Sequence, residues 1–210
     1  MSYVKQPRLI KKDFDSVTLL ELEDFMFNKG IIYLEEKITK EYALSIIKQL
    51  EVLASCDDIQ EIKLVISSPG GSIDAGLMII NSMEKINKIK HIISIAQGTV
   101  ASMASLIYCT SQERLIYKDA KIMVHQPSIA DYSGTCDDVD YLSKTMVDLK
   151  KRTANILSSV MKVSNDEIYE NYLSKDTWFN SDECLNNGLA TGLINGSLLG
   201  GNQNDKNYIN

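Results

Sequence analysis

The sequence predicts an α/β fold, a mainly parallel sheet with helices packed outside it. Apolar runs at 30–34, 62–67, 92–96 and 122–125 have the length and composition of buried strands. Between them, apolar residues recur at helical spacing. The changes of period fall at local signals, such as the Thr39 cap and the Pro69-Gly70-Gly71 turn. Repeated strand and helix units of this kind build parallel sheets with right-handed crossovers.

In chain order, the strand at 30–34 is followed by Ala43, Ile46, Ile47, Leu50 and Leu53 on one helical face behind Thr39. The strand at 62–67 leads through Ser-Pro-Gly-Gly into a helix marked by Ile73, Leu77, Ile80 and Met83. A strand at 92–96, a helix from Ala101, and strands at 114–117 and 122–125 come next. Residues 128–136 (SIADYSGTC) hold turn formers without a period and read as a loop or a mobile edge strand. Val139, Leu142, Met146, Leu149, Ile156, Leu157 and Val160 then trace one long amphipathic helix over about 138–161. Ser164 with Glu167 is a capping-box signal for another short helix. The chain divides into an N-terminal segment (1–15), one domain (16–195) and a polar, glycine-rich tail (196–210) expected to be disordered.

At 210 residues and 44% apolar content, the chain can bury one core of ordinary size. No apolar run reaches the roughly 18 to 20 residues of a membrane span, and the N-terminus lacks the apolar core of a signal peptide. A cytoplasmic protein without membrane contact is expected. The 28 acidic residues outnumber the 22 basic ones, which are interleaved with them, so no basic stripe for nucleic acid exists. Cys56, Cys109, Cys136 and Cys184 are far apart and form no C-x-x-C pair. They read as reduced thiols, and no metal site is expected.

Ser102 lies in GTVASMAS (98–105), where small residues surround a serine between a strand-like run and a helical one. That is how a nucleophile is presented at a strand-to-helix turn. A serine hydroxyl attacks well only when a base takes its proton, and the chain offers two histidines. His91 stands among lysines before an apolar strand and reads as a solvated strand-start residue. His125, in KIMVHQP, remains as the base. Several acids follow it, including Asp131, Asp137, Asp138, Asp176 and Asp182, and residue type alone does not choose between them.

The ordered set SPGGS (68–72), GTVASMAS, MVHQP and KDTWFNSDECLNNGLATGLI (175–194) resembles the proteolytic subunit of the Clp protease, over about 20–194. The resemblance implies a crotonase-like fold of repeated β-β-α units with a protruding helix-strand handle. It also implies serine peptidase activity on short or unfolded polypeptides, and self-compartmentalising homo-oligomeric rings of seven, often two stacked. Ser102 matches the family nucleophile, His125 the base and Asp176 the orienting acid. Backbone N–H groups of Gly71 and Met103 are expected to form the oxyanion hole: Met103 opens a helix, and Gly71 lets the chain approach substrate without a side chain in the way. No metal and no organic cofactor is implied.

The chain departs from the family pattern in the loop after HQP, at Ser174-Lys175, in the first 15 residues, and where a hexameric ATP-driven unfoldase would dock. At that cleft Lys63, Val65, Lys85 and Gln97 replace the usual aromatic or apolar residues, so weak docking is expected unless the lysines lend only their stems. Two related readings share the same residues. One is a maturation protease of a phage or mobile element; the other is a non-catalytic scaffold subunit assembling with an active paralogue.

Overall fold

The structure is a computed structural model that describes residues 8–13, 16–129, 131–194, 196–199 and 208–209. An antiparallel hairpin of β1 (Arg8–Asp13) and β2 (Ser16–Glu21) leads into α1 (Leu22–Asn28). The main sheet runs β3 (Ile31–Leu34), β4 (Glu61–Ser68), β5 (His91–Ala101), β6 (Glu113–Ile116) and β9 (Gly192–Leu193), every neighbouring pair parallel. Continuous runs such as EIKLVISS suit this order, because a parallel sheet is covered on both faces. Two short strands join at one end: β7 (Lys121–Val124) pairs with the last residues of β5, and β8 (Thr177–Phe179) pairs antiparallel with β7. The last described strand, β10 (Tyr208–Ile209), pairs with β1. Of the two end segments set apart in the sequence, residues 1–7, 14–15, 200–207 and 210 lie outside the described residues.

The helices begin where local chemistry allows. Thr39 Oγ1 accepts from Tyr42 N–H to open α2 (Lys40–Ser55), and Ser72 Oγ accepts from Ala75 N–H to open α3 (Ile73–Ile86). With α4 (Met103–Cys109), whose residues are all buried, they cover one face of the sheet and share the main core with Leu64, Ile66, Ile92 and Ala96. A reciprocal capping box between Thr135 and Asp138 opens α5 (Cys136–Ser158). Only Thr153, Ala154 and Leu157 of α5 are buried, so its first four turns project from the body with Val139, Tyr141 and Val147 exposed. Ser164 accepts from Glu167 N–H as expected, yet the helix it opens, α6 (Asn165–Glu167), passes at once into a π turn at Ile168–Tyr172. The last helix is α7 (Ser181–Asn187), capped by Asn180 and ended by Gly188 at φ 90°.

One element differs from the sequence expectation in a way that matters for function. The strand predicted at 92–96 continues to Ala101, and the helix predicted from Ala101 begins at Met103. Ser102 separates them with φ 57° and ψ −126°, a conformation that neither strand nor helix contains. The 128–135 stretch forms no strand among the described residues, and no helix there is long and apolar enough to cross a membrane.

Candidate active site

The site grows out of the way β5 ends. Ala101 still pairs with Met123 of β7, and the Ser102 N–H donates to the Met123 carbonyl at 3.0 Å. The chain then reverses into α4. Ser105, one turn on, places its hydroxyl 2.5 Å from that same carbonyl and 3.2 Å from the Val100 carbonyl. The sequence suggested Ser105 was merely small; buried in this corner, it ties α4 to both strands. Ser102 is the one described non-glycine residue at positive φ. Such backbone costs about 1–3 kcal/mol and persists only where the surroundings enforce it.

Two glycines enforce it sterically. A Cβ on Gly70 would lie 2.6 Å from the Ala101 carbonyl and 2.8 Å from Ser102 Cβ, so the SPGG turn packs directly on the Ser102 corner. A Cβ on Gly76 would lie 2.1 Å from Met103 Cγ, so α3 can approach α4 only there. Sequence reasoning missed Gly76, although an isolated glycine inside a helical pattern is a packing signal.

His125 follows the last residue of β7. Its Nε2 lies 2.7 Å from Ser102 Oγ, a full hydrogen bond. Its Nδ1 lies 3.4 Å from Asp176 Oδ1. The register explains why those two meet: β7 and β8 pair Ile122 with Phe179, Met123 with Trp178 and Val124 with Thr177, so the next step of the ladder sets His125 opposite Asp176. Phe179 anchors β8, buried and stacked on Tyr172 at 5.7 Å between centroids, whereas Trp178 is half exposed on the other face. The other acids are engaged elsewhere or stand apart. Asp138 bonds Thr135, which holds its carboxyl below the usual range, and Asp182 sits in the first turn of α7. His91 pairs with Glu113 at 3.1 Å at the far end of β5, about 33 Å of strand from Ser102.

The Met103 amide begins α4 directly after Ser102, and the Gly71 amide follows Gly70, which packs against Ala101, Ser102 and Met103. Neither donates to a protein acceptor among the described residues. Gly71, at φ 154°, bridges to Ile38, where a Cβ would lie 2.4 Å from the Ile38 carbonyl. Beside the serine opens a cleft lined by Ile73, Leu77, Leu106, Val124, Leu149 and Ile156, with Thr153 and Arg152 from the same helix as Leu149. Leu149, on the amphipathic stripe of α5, lines the wall of the cleft next to Ser102. No group of three or more His, Cys, Asp or Glu side chains among the described residues could hold a metal ion. Burial raises the Cys109 and Cys184 thiols to about 12, so neither is a nucleophile.

A hydroxyl, an imidazole and a carboxylate in contact, in that order, on an α/β scaffold form the constellation by which serine hydrolases are recognised across unrelated folds. This chain belongs to the Clp protease family, whose profile matches residues 16–197. It is 31% identical over 169 residues to the ATP-dependent Clp protease proteolytic subunit 2 of Tropheryma whipplei, covering 80% of this chain and 92% of that one. It is also 31% identical to the proteolytic subunit 1 of Leifsonia xyli subsp. xyli, over 84% of this chain and 88% of that one. The proteolytic subunit 1 of Streptomyces coelicolor is 32% identical over 80% of this chain and 76% of its own length.

Proposed function

We propose that the chain is a serine endopeptidase that cleaves short or unfolded polypeptides through an acyl-enzyme on Ser102, without metal or organic cofactor. The observation that carries this reading is the 2.7 Å contact of Ser102 Oγ with His125 Nε2 at the one strained non-glycine residue among those described. His125 Nε2 takes the hydroxyl proton as Oγ attacks the scissile carbonyl. Negative charge then develops on the carbonyl oxygen, where the Gly71 and Met103 N–H groups are free to donate. The C–N bond breaks, His125 returns its proton to the leaving amine, and a water activated by His125 releases the acyl group. Asp176 holds Nδ1–H so that Nε2 faces the serine, and it keeps its charge throughout.

The apolar cleft beside Ser102 would receive the substrate side chain next to the scissile bond. Extended peptide would lie by strand addition along the edge formed by the SPGG turn and the 128–136 segment. Assembly into a homo-oligomeric ring of seven, singly or stacked, belongs to the same proposal; Val139, Tyr141 and Val147 on the projecting part of α5 are exposed apolar area of the kind such a contact buries. Work in the cytoplasm is part of it too. Docking of an ATP-driven unfoldase should be weak, because the Lys63 ammonium lies in the sheet-face cleft, paired with Glu61 at 3.1 Å, and Lys85 is exposed beside Glu51.

A serine-reactive fluorophosphonate tests the mechanism. It should label Ser102 and no other residue, and labelling should vanish in His125→Ala. A chain that hydrolyses fluorogenic peptides at the wild-type rate with Ser102 replaced by alanine would overturn the proposal.

A further inference from the structure

Among the described residues, the Asp176 carboxylate has one partner, His125 at 3.4 Å, and Ser174 and Lys175 before it are exposed. Its position therefore has to come from the backbone on either side. Upstream, that backbone is the π turn at Ile168–Tyr172, closed by the Leu173 N–H donating to the Ile168 carbonyl at 3.0 Å. Single π turns of this kind are frequent at functional sites. This one is fixed to the body on several sides: Ile168 and Leu173 are fully buried, the Tyr172 ring stacks on Phe179, and the Lys150 ammonium of α5 lies 3.9 Å from the Tyr169 ring centroid. The carbonyls that a helix leaves open at its end need donors from outside it. Two hydroxyls supply them here. Ser174 Oγ donates to the Asn171 carbonyl at 3.3 Å, and Thr177 Oγ1 donates to the Tyr172 carbonyl at 2.8 Å.

We propose that Thr177 is a positioning residue for Asp176, its hydroxyl fastening the start of β8 to the end of the π turn. Thr177 has this role only if Ser102, His125 and Asp176 act together as proposed above. Successive side chains of a strand point to opposite faces, so Thr177 and Phe179 turn inward onto Tyr172, while Asp176 and Trp178 turn the other way, Asp176 towards His125. The hydroxyl bond closes residues 173–176 into a short loop, and Asp176 is the last of them. Beyond it, Thr177 pairs with Val124 in the β7–β8 ladder. Without the hydroxyl, the Tyr172 carbonyl loses its donor, and the downstream end of the loop is held by that short ladder alone. A carboxylate that is 65% exposed and 3.4 Å from its partner has no strong interaction of its own to make up the difference. Asp176 is then within reach of Nδ1 less often. Catalysis falls through the orientation of the imidazole, and substrate binding is untouched.

Double-mutant kinetics on the full chain, with a fluorogenic peptide as substrate, test this role. Thr177→Val removes the hydroxyl and keeps the branching at Cβ. It should lower kcat by about threefold to tenfold and leave KM unchanged, whereas Thr177→Ser, which keeps a hydroxyl, should stay within about twofold of the wild type. In an Asp176→Asn background, Thr177→Val should cost nothing more, because the group it positions is already lost. A residue that only stabilises the fold would lower activity equally in both backgrounds. The rate of fluorophosphonate labelling at Ser102 should fall in parallel with kcat. Should Thr177→Val not fold, Thr177→Ala makes the same comparison. An equal loss in both backgrounds would overturn the proposal, as would full kcat without the hydroxyl, or a Thr177→Ser variant as slow as Thr177→Val. Failure of the peptidase mechanism itself reads differently: Ser102→Ala would then hydrolyse the peptide at the wild-type rate, whatever stands at position 177.

Discussion

Ser102 and His125 are held from inside the fold, whereas Asp176 is held from its edge. Ser102 sits between a central strand and a wholly buried helix, pinned through Met123 and crowded by Gly70; its contact with His125 is 2.7 Å, and the His125 side chain is only 25% exposed. Asp176 precedes a three-residue strand whose one sheet partner is another short strand. Its side chain is 65% exposed, and its contact with His125 is 3.4 Å. A long, solvated ion contact contributes little on its own, since water competes for both partners. The difference separates two demands on such a site. In the proposed mechanism the proton transfer between hydroxyl and imidazole would be set by the core, and the orientation of the imidazole would be left to a surface contact that can loosen or tighten.

The largest expected effect is on the buried half. His125→Ala should lower kcat for peptide hydrolysis by up to about a millionfold, the loss seen when either hydroxyl or imidazole is removed from such a site, with residual turnover from the oxyanion hole about a thousandfold above water. Turnover and circular dichroism on the same sample check that the loss is chemical. The next effect belongs to the exposed half. In buried triads, replacing the acid by its amide costs about ten thousandfold through the wrong imidazole tautomer. Here Asp176→Asn should cost less, on the order of tenfold to a hundredfold, because the contact is long and the Asp176 side chain is 65% exposed, so solvent can compete for the Nδ1–H. A loss as large as that of His125→Ala would break the comparison. Wild-type turnover, with a large loss in Asp182→Asn instead, would move the acid elsewhere.

The same division governed what was legible in the sequence. The alternating pattern gave the sheet and its covering helices, because strands buried on both faces write themselves as continuous apolar runs. The serine and histidine stood out because nucleophile and base chemistry allows few residue types and the chain has two histidines. Asp176 did not stand out among 28 acids; its position is decided by the β7–β8 register, a long-range pairing that leaves no local signature. The helix start at Ala101 was misplaced because small residues carry no marker for a reversed φ, and only the packing of Gly70 and α4 imposes it on Ser102. The stripe of α5 showed that a face of the helix is covered without showing by what, and Leu149 on that stripe lines the cleft beside Ser102. The end of the chain was read as a polar tail, and its composition gave no hint that Leu198 would lie against the sheet.

The smallest expected effect probes the strain itself. If the core forces Ser102 into φ 57°, ψ −126°, the residue's Cβ is a cost carried in the folded state. Ser102→Ala keeps that Cβ and should melt near the wild type. Ser102→Gly removes it. Glycine then relieves about 1–3 kcal/mol of strain, while its freer unfolded chain gives back about 0.5–1 kcal/mol. A net gain of about 1 kcal/mol corresponds to a rise in Tm of roughly 2–4 °C for a chain of this size. Both variants should be inactive, so the pair isolates backbone strain from lost chemistry. Asp176→Gly is the counterpart at the edge: Asp176 has no positive φ to relieve, so glycine should lower Tm or leave it unchanged. Melting curves recorded at one protein concentration decide the matter, since any subunit association would otherwise shift them. Equal Tm values for Ser102→Gly and Ser102→Ala would mean that the corner is relaxed, and that the core offers the hydroxyl without holding it under strain.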